Sequence, residues 1–173
     1  MFVSIWFSIA NAAVAVDNVS TVFEFRPTSL TTSHTTSGTQ RLMIVGVSIL
    51  NDAEPDDIAE SVTYNDTALN FIGTIERQNN SRVELWSYLN PPAISANVVV
   101  IFDQQIELGA GVGIITFTGV DQSSPYGVFQ SQTGDSSTAS IDVTSASGEL
   151  VLCVMVAKRQ NVNAVTSIGN QHW

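Results

Sequence analysis

A single cysteine, Cys153, stands in the 173 residues, so no internal disulfide can form. The fold must rest on its hydrophobic core, and a chain of this length can bury one without staples. Basic residues are scarce too. Six Lys and Arg face sixteen Asp and Glu, giving a net charge of −10. With no basic stripe to neutralise phosphates, the balance argues against nucleic acid and against an anionic membrane surface as partners. There are two histidines, His34 and His172, so a Ser/His/Asp triad would need one of them as its base. Their spacing with Cys153 matches no zinc pattern. Charged residues make up 13% and hydrophobic ones 44%, which excludes a disordered tail and a coiled coil. No helix-period segment, internal repeat or membrane-spanning apolar run is present.

What is there is a series of short β-branched and aromatic runs separated by turn residues. Asn18–Phe25 alternates loosely and closes at Arg26-Pro27, which marks an edge strand. Thr28–Gln40 holds a short strand and a turn. Arg41–Leu50, RLMIVGVSIL, is apolar on both faces and so predicts a strand covered on both sides, with Gly46 marking a bulge or a close backbone approach. Ser61–Asn65 and Thr67–Glu76 read as a hairpin around Asn65-Asp66. Arg82–Leu89 and Val98–Phe102 are strands separated by Pro91-Pro92, which cannot sit in a ladder. In Ile106–Val120 three glycines precede a strand. Gly127–Thr133, Ala139–Thr144 and Glu149–Ala157 read as three more, the last with Cys153 as a buried, inert thiol. The pattern predicts an all-β antiparallel sandwich of jelly-roll type, a single domain over 16–173. Met1–Ala15 is apolar and ends in small residues, as a signal peptide does. It lacks a basic start, which places the true start upstream; the competing reading is a first strand.

Two stretches could carry function. Glu84, Trp86 and Tyr88 alternate onto one face of the Arg82–Leu89 strand. An aromatic pair at that spacing could stack sugar rings beside a carboxylate, or could pack in the core. Glu84 is also the residue on which a glycan hydrolase would depend, with Glu76 or Glu107 as its partner. Asn51–Asp57 offers Asp52, Glu54, Asp56 and Asp57, hard oxygen ligands of the kind Ca²⁺ takes. Its spacing is not that of an EF-hand, and solvated surface charge is the competing reading. No other cofactor is implied. Gly109, Gly111 and Gly113 do not form a phosphate loop, because no Lys-Ser/Thr and no helix follow.

Three phrases carry a resemblance in their order: RLMIVGVSI at Arg41–Ile49, SVTYNDTALNFIG at Ser61–Gly73 and RVELWSYLNPP at Arg82–Pro92. ANVVVIF, FTGVDQSSPYG and SGELVLCVMV continue the series. Over roughly Val19 to Trp173 the chain resembles a jelly-roll-like β-sandwich accessory module of bacterial secreted and cell-surface multidomain proteins. The resemblance implies adhesion, surface structure or polysaccharide contact, with no catalytic residues. It also implies further strands after GNQHW, so that the chain looks truncated at its C-terminus. The expectation is a non-catalytic extracellular module for adhesion, carbohydrate contact or structural spacing. Its partners would be a polysaccharide or surface protein and other domains of the same polypeptide. A glycan-active hydrolase using Glu84 is the alternative.

Overall fold

In the computed structural model, residues 13–51, 57–77, 81–134, 141–146 and 148–156 are described. Their strands are β1 (Ala15–Phe25), β2 (Ser29–Thr35), β3 (Leu42–Leu50), β4 (Ala59–Tyr64), β5 (Thr67–Ala68), β6 (Asn70–Arg77), β7 (Ser81–Leu89), β8 (Ser95–Phe102) and β9 (Gly109–Thr118). No helix forms among these residues. One sheet runs β1-β9-β3-β7-β6 and the other β2-β8-β4-β5, and every pairing is antiparallel. The rungs β1·β9, β2·β8, β3·β7 and β4·β5 are those of one long hairpin rolled across two sheets, which is jelly-roll order. The all-β sandwich predicted from the sequence is the fold observed.

The pleat sends alternate side chains of β3 to opposite layers. Met43, Val45, Val47 and Ile49 face the other sheet, where they cluster with Leu30, Val62, Tyr64, Val98, Val100 and Phe102. Leu42 and Ile44 face outward into a second cluster with Phe117 and Val120. The continuous apolarity of this strand is therefore spent on two cores. At about 25 cal/mol per Å² of apolar surface, each fully buried side chain contributes on the order of 1.5–3 kcal/mol. A polar residue at Val45 or Val47 would break the strand's hold on the opposite sheet.

Asn65 and Asp66 adopt φ of 48° and 59°, the paired left-handed geometry of a type I′ turn, which short Asn and Asp side chains tolerate. The hairpin they close is shorter than the sequence predicts. β5 pairs with β4 only at Thr63↔Ala68 and Tyr64↔Thr67, and β6 then joins the other sheet beside β7. Leu69 makes the change of sheet. Its side chain is buried in the inter-sheet core while its amide donates to Val62 O at 2.9 Å. β7 and β8 also lie in different sheets, so Pro91-Pro92 bridges the layers rather than turning a hairpin. Arg41 holds that bridge, with Nε donating to Pro91 O at 2.6 Å and its carbonyl accepting from Asn90 N at 2.8 Å.

The three strands expected at Gly127–Thr133, Ala139–Thr144 and Glu149–Ala157 do not form among their described residues. Two of them, around Phe129 and over Glu149–Val156, lie over the outer face of the five-stranded sheet instead. Leu150 packs against the outer cluster, Val154 sits on Gly46, and the Phe129 ring sits on Gly73. Their apolar side chains cover a sheet rather than extend one. The opposite side of the segment stays in water, as Val151, Met155 and Cys153 do. Cys153 is thus an exposed free thiol, not the buried one that its apolar surroundings suggest.

A methyl group added at Gly73 would come within 2.7 Å of the Phe129 ring, and one at Gly46 within 2.9 Å of Val154. Gly73→Ala is therefore expected to destabilise by about 1–3 kcal/mol, the range for overpacking. In a Phe129→Ala background the same change should cost much less. A double-mutant cycle read by urea unfolding checks this, and additive effects would place Phe129 elsewhere.

Candidate binding site at the open rim of the sandwich

β7 positions the sequence-predicted residues. Glu84, Trp86 and Tyr88 lie opposite Val47, Val45 and Met43 of β3, whose side chains face the opposite sheet. The three share that face, as the alternation predicts. Trp86 and Tyr88 are partly buried and pack against the main core, while Glu84 is 1% exposed.

A carboxylate this deep needs partners on both oxygens. Oε1 of Glu84 accepts from Arg82 Nε at 2.6 Å and from the amide of Ala59 at 3.4 Å; Oε2 accepts from Trp86 Nε1 at 3.0 Å. Ala59 belongs to β4, so Glu84 reaches across the sandwich to the other sheet. Arg82 also approaches Glu76 of β6 at 3.3 Å. Of the two carboxylates offered as partners for Glu84, the structure brings Glu76 to it through Arg82. Glu107 lies on the β8–β9 loop.

Sequence reading missed Phe71. It stands opposite Trp86 on β6, and their rings meet edge to face with centroids 5.1 Å apart and planes at 66°. β6 is the edge of its sheet, and β5, only two residues long, is the edge of the sheet facing it. The sandwich is open along this rim, and Phe71 remains 50% exposed there. The signal was in the sequence, because SVTYNDTALNFIG and RVELWSYL pair through Phe71 and Trp86. The register that joins them was not.

His34 is no base beside a cleft. It is buried on β2, with Nδ1 2.9 Å from Ser20 Oγ of β1 and Nε2 2.7 Å from Thr116 Oγ1 of β9. A neutral imidazole has one donor and one acceptor nitrogen, and a hydroxyl can serve either. Burial lowers its pKa from 6.5, against a smaller upward pull from Asp17. Tyr64 lies edge-on to the ring at 6.5 Å and donates its hydroxyl to Ile94 O at 2.8 Å. These groups tie the two sheets together. His172 lies outside the described residues.

Asp52, Glu54 and Asp56 of the acidic loop also lie outside the described residues. Asp57 is described and is buried, not solvated. Burial raises its pKa from 3.8, helped by Asp103 and Glu107 and opposed by hydrogen bonding from Gln104 and Asn51. Among the described residues, no three His, Cys, Asp or Glu side chains already surround one point as a metal cage.

Strand order, the two cores and the rim define the class, a jelly-roll β-sandwich with an aromatic pair at its open side. Comparison with protein families, with characterised proteins and with solved structures finds no match for this chain. No helix among the described residues is long and apolar enough to cross a membrane, which says nothing of β-barrels.

Proposed function

We propose that this chain is a non-catalytic module of an exported or cell-surface protein, working through surface contact with a polysaccharide. The observation that carries the reading is the Phe71–Trp86 pair at the rim, held edge to face with Phe71 half in water and Trp86 partly buried. Trp86 cannot swing freely, because Glu84 takes its indole N–H. A fixed, partly exposed aromatic surface suits stacking on the C–H face of a sugar ring, and it costs little ordering entropy on binding. Adhesion to a glycan-bearing surface would use the same face. The non-catalytic part of the reading is supported by Glu84, whose two oxygens both accept hydrogen bonds within the protein. At 1% exposure the carboxylate also has little access to a leaving group on a bound glycan.

Phe71→Ala removes an exposed ring from an edge strand and should leave the fold intact. Retention of the wild-type protein in polysaccharide-containing native gels is expected, with the variant running as in a glycan-free gel. Equal retention of both proteins would move the contact away from this rim. Free migration of the wild type across the panel would favour a structural spacer.

A further inference from the structure

The end of β3, the start of β4 and the β8–β9 loop meet around Asp57. Its side chain is 1% exposed; Oδ1 accepts from Gln104 Nε2, and Oδ2 has no hydrogen-bond partner. A buried ionised carboxylate with an unmet oxygen is costly unless a positive charge compensates it. The groups acting on it supply none. Asp103 and Glu107 are negative, and Gln104 and Asn51 are neutral amides. Asp103 is also fixed in place. Its Oδ1 accepts from Ile58 N at 3.0 Å while its own amide donates to Ile58 O at 3.2 Å, which anchors its carboxylate one residue from Asp57. Side chains from separate segments therefore set negative charge around one unmet, buried oxygen.

We propose that Asp57 and Asp103 form the base of a Ca²⁺ site at this end of the sandwich, with Glu107 adding charge at its mouth. The ligand chemistry is hard oxygen, with no sulfur or imidazole, which excludes the softer transition metals. Ca²⁺ accepts six to eight oxygens in flexible geometry and draws on carbonyls and water as readily as on carboxylates. It therefore needs no preformed ring of three acidic side chains. Mg²⁺ is smaller, demands a near-ideal octahedron and gives up its water reluctantly. The site uses one residue of the acidic loop that the sequence singled out, and its second carboxylate comes from a segment 46 positions further along (103 − 57). It is independent of the polysaccharide reading.

The test is the thermal midpoint of chelator-treated protein titrated with CaCl₂, with MgCl₂ at equal ionic strength as control. A ligand that binds only the folded state must raise the midpoint in a saturable way. Ca²⁺ is expected to do so and Mg²⁺ to do markedly less. Asp103→Asn keeps the acceptor for Ile58 N, so it should fold normally and lose most of the Ca²⁺ response. Asp57→Asn should abolish the response and raise the midpoint in chelator, because a buried charge has been removed. No rise with millimolar Ca²⁺ would overturn the proposal. So would an equal rise with Mg²⁺, which is screening of the net negative charge, or a Ca²⁺ rise that survives in both variants.

Discussion

Glu84→Ala is expected to destabilise the protein by about 3–5 kcal/mol, the range for removing one partner of a buried ion pair. The loss has three parts. The Arg82 guanidinium, with its side chain 17% exposed, loses its 2.6 Å partner and keeps only Glu76. The Trp86 indole N–H and the Ala59 amide lose their acceptor. A cavity opens beside β4, and the tie between the sheets at that point goes. Stabilities of small domains are about 5–15 kcal/mol, so the variant should stand near the limit of folding. Urea unfolding monitored by tryptophan fluorescence measures it. A change below about 1 kcal/mol would show that Glu84 is solvated and free, contrary to the geometry.

The second large effect is at His34. His34→Ala leaves the Ser20 and Thr116 hydroxyls facing a cavity and should cost roughly 2–4 kcal/mol from lost packing and unmet hydrogen bonds. The same residue sets a pH dependence. Its folded pKa lies below the ordinary 6.5, so above that pH it is neutral in both states and its contribution is fully present. Below 6.5 the unfolded chain takes up the proton first. Stability then falls until the pH passes the folded value. Asp57 acts in the opposite sense. Its folded pKa is raised, so it favours the folded state as pH drops from that raised value towards 3.8. His34→Gln can hydrogen-bond but cannot titrate, and it separates the two. The wild type should lose more midpoint than His34→Gln between pH 7.5 and 5.5. Parallel losses would mean that His34 is already solvated in the fold.

The fold was legible where one residue pattern had one reading. Leu42–Leu50 is apolar on both faces and is buried on both faces; Asn65-Asp66 turns with two left-handed residues. It was not legible where the same pattern serves two geometries. Glu149–Ala157 is an apolar run that reads as a strand, yet its described residues lie across the outer face of a sheet, and Cys153 is exposed as a result. β-propensity reports a fit to an apolar pleated surface, and covering such a surface satisfies it as well as joining the ladder does. Thr67–Glu76 reads as one strand, and no local signal marks Leu69 as the point where it changes sheets.

The candidate site divides the same way. That Glu84, Trp86 and Tyr88 share a face followed from period-two alternation. Which way the face points depended on β3, 37 residues away at the Val47↔Glu84 register pair and 41 at Val45↔Trp86. Ala59, Phe71 and Glu76 reach Glu84 and Trp86 only through the folded register, as Asp103 reaches Asp57. Buried polar groups are matched over long sequence separations, and a single sequence does not show the matches.

The most direct test of the account is the urea midpoint of Glu84→Gln beside wild type, with turnover of a polysaccharide panel followed in both. Gln keeps the size of the side chain but turns one acceptor oxygen into a donor, which must then face the Arg82 or the Trp86 N–H. Each lost hydrogen bond to a charged group is worth about 1.5–3 kcal/mol. The account predicts a clearly lower midpoint and no glycan turnover by either protein. An unchanged midpoint, together with wild-type turnover that vanishes in Glu84→Gln, would contradict it and make Glu84 a catalytic residue.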